Sequence, residues 1–67
     1  MDMIDLTDKQ ALMVFNALQH PLILSGAGEK NTARSLERKC WGYVEDGAGL
    51  EKIFRLSQAG ENAALHR

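Results

Sequence analysis

The chain has 67 residues, with eight Lys and Arg against nine Asp and Glu, for a formal net charge of -1. A chain of this size holds one small core, because about 60 residues bury only roughly 60% of their unfolded surface. A sequence pI near 6.0 excludes nucleic-acid binding through bulk charge alone, and a single Cys excludes an internal disulfide framework or a multi-cysteine metal site.

The opening residues Met1-Asp2-Met3-Ile4-Asp5 carry acids where a secretory signal needs cations. The uninterrupted apolar runs are a few residues long, far short of the roughly 20 that a spanning helix needs. The expectation is a soluble cytoplasmic protein, without membrane contact, in which Cys40 is a reduced thiol. A first helix is predicted over about residues 8–19. Thr7 is its N-cap, Gln10 completes a capping box and Asp8 complements the helix dipole. Ala11, Leu12, Val14, Phe15 and Leu18 fall on one apolar stripe, with Met13 off its centre. His20-Pro21 ends this helix, since the residue before proline is pushed out of the α region.

Leu22-Ile23-Leu24 reads as a brief buried strand, and Ser25-Gly26-Ala27-Gly28 as a loop. A second helix is predicted over about 29–39, with Ala33, Leu36 and Cys40 facing the core. Trp41 to Leu56 reads as a hairpin, with Asp46-Gly47-Ala48-Gly49 as its turn. Lys52, Phe54 and Leu56 alternate there against Ile53 and Arg55. Ser57 caps a last helix over about 58–66, with Ala59, Ala63 and Leu65 on its apolar side. Gly60 in its first turn costs up to about 1 kcal/mol relative to Ala. The whole chain is thus a single small α+β domain of order α-β-α-β-β-α.

Charge is unevenly distributed. Residues 1–28 carry one Lys against three Asp, residues 29–39 four cations against two Glu, and residues 40–67 three cations against four acids. The second helix accordingly presents Lys30, Arg34 and Arg38 at i, i+4, i+8, with Asn31 and Ser35 beside them. Cations of this kind meet phosphates, while Asn and Ser meet base edges. The structural alternative is an ordinary solvated face with Glu37 interspersed.

Thr32-Ala33-Arg34-Ser35-Leu36-Glu37-Arg38-Lys39, followed by Trp41 to Glu45, is similar to the recognition helix and first wing strand of bacterial winged helix-turn-helix regulators. Phe54-Arg55-Leu56-Ser57-Gln58-Ala59-Gly60 resembles the second wing strand running into the closing helix, and Leu6-Thr7-Asp8-Lys9-Gln10 the start of the first helix. The resemblance implies a winged-helix fold and a small bacterial or phage transcriptional regulator acting as a homodimer on duplex DNA. Lys30, Asn31, Arg34, Ser35 and Arg38 would then lie towards the major groove, with Lys52 and Arg55 touching the backbone from the wing. The sequence departs from the family in two places. The helix that ordinarily precedes the recognition helix is missing or shortened to a turn within residues 20–28. Cys40 stands where a helix-ending Gly is usual, so the turn is expected to use Gly42.

A second expectation is a protein-binding module or small phage-type inhibitor on the same scaffold, without DNA contact. Its interface would be Trp41 and Tyr43 on the hairpin, or the acidic segment of Asp2, Asp5 and Asp8. Enzymatic chemistry finds no support. Ser25 to Thr32 has the setting of a phosphate-cradling loop but the wrong glycine and lysine spacing. His20, Cys40 and His66 match no zinc spacing, and Cys40 has no evident base. No cofactor, metal or catalytic residue is expected.

Overall fold

The computed structural model describes residues 5–65. Within them the chain forms an α+β arrangement of three helices and a three-stranded antiparallel sheet of order β1-β3-β2. The elements are α1 (Asp8–Gln19), β1 (Leu22–Leu24), α2 (Gly26–Arg38), β2 (Gly42–Asp46), β3 (Lys52–Leu56) and α3 (Gln58–Leu65). Among these residues no helix is long and apolar enough to cross a membrane. Asp2 and His66 lie outside the described residues.

α1 opens on a capping box. The Thr7 hydroxyl accepts from the Gln10 amide at 3.2 Å, and the Gln10 side chain accepts from the Thr7 amide at 2.9 Å. It ends at His20, whose extended backbone precedes Pro21. The buried stripe of α1 is rotated from the predicted one. Met13 and Val14 are buried with Gln10, whereas Leu12 is 62% exposed and Ala11, Phe15 and Leu18 are half-buried. The stripe turns because α1 meets α2 along the side that carries Gln10, whose amide is buried with hydrogen-bond partners.

The predicted loop before the second helix is helix. α2 begins at Gly26, so a single residue, Ser25, separates it from β1. The first turn of α2 therefore contains Gly26, Ala27 and Gly28. The Glu29 carboxylate closes this turn by accepting from the Ser25 amide at 2.7 Å and from its hydroxyl at 3.2 Å. Gly26 itself needs its freedom, with φ at 81°.

The far end of α2 is a Schellman turn. The Trp41 amide donates to the Leu36 carbonyl at 2.9 Å and the Cys40 amide to the Glu37 carbonyl at 3.0 Å. Cys40 takes the left-handed position, with φ at 66°. It is exposed rather than facing the core, because that conformation swings its side chain off the helix face. The turn does not use Gly42. That glycine is required by close packing, since a Cβ there would meet the Arg55 carbonyl oxygen at 2.4 Å and the Phe54 ring at 2.6 Å.

Antiparallel register places Leu22, Phe54 and Val44 on one face of the sheet and Ile23, Ile53 and Glu45 on the other. The first face joins the core. Met13, Val14, Leu24, Ala33, Leu36, Trp41, Phe54 and Ala64 form one buried cluster. Trp41 and Phe54 supply much of its mass, each gaining about 1.5–3 kcal/mol from leaving water. α3 closes the cluster with Ala64 and Gly60, while Ala63 is half-buried. Ala59 and Leu65, expected on its apolar side, are exposed. Ser57 fixes α3 in place. Its amide donates to the Trp41 carbonyl at 3.0 Å, and its hydroxyl accepts from the Gly60 amide at 2.9 Å.

Candidate nucleic-acid interface

α2 buries only Ala33 and Leu36. Helical geometry puts Asn31 and Arg38 opposite these two and turns Lys30 and Arg34 towards the hairpin flank, and all four are exposed. Among the described residues, their side chains make no hydrogen bond or ion pair. The arrangement is a stripe of three cations and one amide along a helix that is anchored at both ends.

Ser35 does not join that stripe. It lies on the flank of α2 that faces α1. Its hydroxyl accepts from Gln10 Nε2 at 2.7 Å and donates to the Thr32 carbonyl at 2.7 Å. Lys39 closes the same junction. Its ammonium donates to the Asp5 carbonyl at 3.0 Å and to Gln10 Oε1 at 3.3 Å. Gln10 is the residue that sequence reasoning passed over. A polar residue on a helix stripe gives no periodic signal, and only its capping role was legible.

The hairpin cations are placed differently from those of α2. The Lys52 ammonium pairs with Asp46, and the Arg55 guanidinium pairs with Glu45. The hydrogen bond and charge of Glu45 raise the Arg55 guanidinium further above its ordinary value. Lys52 nevertheless stands near α2. Lys30, Arg34, Lys52, Glu37 and Asp46 line one open cleft of about 290 Å³ between α2 and the hairpin. Glu37 is held there by accepting from the Val44 amide on the edge strand β2 at 3.4 Å. Arg55 points to the opposite face of the sheet with Tyr43, its cross-strand partner, and lies outside this cleft.

The aromatic patch of the protein-binding alternative does not form. Trp41 is buried in the core, because it is the C-terminal partner of Leu36 in the Schellman turn; only Tyr43 is exposed. A second surface does carry apolar groups. Leu12 and Ile23 stand at a groove of about 410 Å³ between α1, β1 and the start of α2. Among the described residues no cluster of His, Cys, Asp and Glu is arranged to hold a metal.

No family model matches this chain, and no curated protein or solved structure gives a significant match to it.

Proposed function

We propose that the chain is a small DNA-binding protein of winged-helix type that lays α2 in the major groove. One observation carries this reading. Lys30, Asn31, Arg34 and Arg38 are all exposed on one helix, with no hydrogen-bond or ion-pair partner among the described residues. A long cationic side chain without a partner binds phosphate at no cost of breaking an existing ion pair. Asn31 is of the type that recognises adenine edges, and the three cations are of the type that meets phosphates. The sheet order β1-β3-β2, with β2 and β3 as a hairpin beside α2, supports the winged-helix reading. The helix that ordinarily precedes the reading helix is replaced by the single residue Ser25.

The test is fluorescence anisotropy of labelled random-sequence duplex DNA with the wild type, Arg34→Ala and Ser35→Ala. Arg34→Ala should weaken binding and reduce the log–log salt slope by about 0.9, the loss of one phosphate contact. Ser35→Ala should change neither. Equal behaviour of Arg34→Ala and wild type overturns the assignment of α2.

A second reading, a protein-binding module without DNA contact, is favoured by the exposed apolar groups. Ile23 and Leu12 are both 62% exposed beside one groove, and Leu50 at the hairpin turn is 98% exposed. Its signature is a wild type that binds no duplex at low salt.

A further inference from the structure

We infer that Asp46 and Glu37 are selectivity residues, which hold down binding to unrelated DNA by withholding the α2–hairpin cleft from phosphate. The inference rests on the DNA-binding reading above and adds a role for the carboxylates beside the reading helix.

The cleft is lined by three cations, Lys30, Arg34 and Lys52, and by two carboxylates, Glu37 and Asp46. Its net charge is therefore only one positive. Asp46 already occupies Lys52. Glu37 stands at the wall of the cleft, where its carboxylate accepts a long, exposed hydrogen bond from the Val44 amide. Charges this close interact well within a Debye length of about 8 Å at physiological salt. A phosphate entering the cleft must displace Asp46 from Lys52 and sit beside Glu37.

The rest of the hairpin adds to the effect. Glu45 occupies Arg55 on the other sheet face, and Glu51 is exposed next to the turn. The hairpin from 42 to 56 carries Glu45, Asp46 and Glu51 against Lys52 and Arg55, so it is net negative. A protein that gains little from the backbone depends on base contacts, which Asn31 offers. Rejecting the wrong partner by a repulsive group is a general route to specificity. An exposed ion pair is weak, with a typical worth of about 0.2–1 kcal/mol. Base contacts made from α2 do not use Lys52, so the cost of breaking its pair with Asp46 falls on backbone-bound poses and not on the base-reading one.

The experiment uses the full chain and two probes, a random-sequence duplex and the best duplex recovered from it by selection, between about 50 and 200 mM salt. Asp46→Asn should raise affinity for the random duplex roughly three- to tenfold and steepen its salt slope by about 0.9, one extra phosphate. Glu37→Gln should raise affinity for the random duplex with a smaller change in slope. In both variants the ratio of selected to random affinity should fall. Adding Lys52→Ala to Asp46→Asn should abolish the gain, an outcome that a merely structural role of Asp46 would not produce. Glu61→Gln, which removes a carboxylate from a separate cleft beside Tyr43 and Arg55, should leave the ratio unchanged. A wild type that binds the duplex, with Asp46→Asn unchanged in affinity and slope, overturns the inference alone. A wild type that binds neither probe overturns the DNA-binding reading and the inference together.

Discussion

Gly60 packs so closely on Trp41 that a Cβ at Gly60 would stand 2.0 Å from the Trp41 carbonyl oxygen. This contact sets α3 onto the junction between α2 and β2. In an open helix, Gly→Ala stabilises by up to about 1 kcal/mol. Here the clash is with backbone, which cannot rotate away. Gly60→Ala should instead destabilise the fold by about 1–3 kcal/mol, the usual cost of overpacking. Urea unfolding followed by circular dichroism checks the sign, and a stabilised variant would contradict the packing.

The residue next to that contact carries a different strain. Cys40 holds φ at 66°, a region in which a side chain costs roughly 1–2 kcal/mol and glycine almost nothing. Part of that cost returns through the greater freedom of glycine in the unfolded chain. Cys40→Gly should therefore stabilise the domain by about 0.5–1 kcal/mol while leaving duplex binding unchanged. The midpoint of chemical unfolding is the measurement.

Gln10 and Ser35 tie α1 to α2 through a side-chain hydrogen bond of 2.7 Å. Ser35→Ala leaves the buried Gln10 amide with a lost partner and should cost about 1 kcal/mol. Gln10→Ala and Ser35→Ala share that bond, so their effects on unfolding free energy should sum to more than the double variant loses. Strict additivity would mean that the bond contributes nothing.

These positions also show what the sequence could reveal. Thr7, Gln10, Pro21 and Ser57 act locally, through caps and a fixed φ, and the ends they set for α1 and the start of α3 were legible from neighbours alone. The start of α2 was not. Gly26 and Gly28 read as loop, and the acid that closes the turn, Glu29, stands four residues after Ser25 instead of the three of a capping box. Cys40 followed the helical period of Ala33 and Leu36, but the period stops at Arg38 and the left-handed turn reverses its direction. At the candidate site, Lys30, Asn31, Arg34 and Arg38 were legible because one helix face decides their exposure. The pairing of Lys52 with Asp46, and the loss of Ser35 to Gln10, depend on contacts across elements that no local pattern encodes.

The Arg55–Glu45 pair gives a prediction about pH. A cation whose folded pKa is raised contributes stability that is present below its unfolded pKa and lost only as pH rises through the folded one. For Arg55 that window lies in strong alkali. The difference in unfolding midpoint between Glu45→Gln and wild type should therefore be the same at neutral and at mildly alkaline pH. A difference that shrinks between those two conditions would contradict it.

The central claim is that α2 reads DNA, and amide chemical-shift mapping of the full chain with short duplex DNA tests it most directly, first at low and then at moderate salt. The account predicts shifts that cluster on residues 26–38 and that diminish as salt rises. An absence of shifts at low salt, or shifts confined to the surface around Leu12, Ile23 and Leu50, would contradict it.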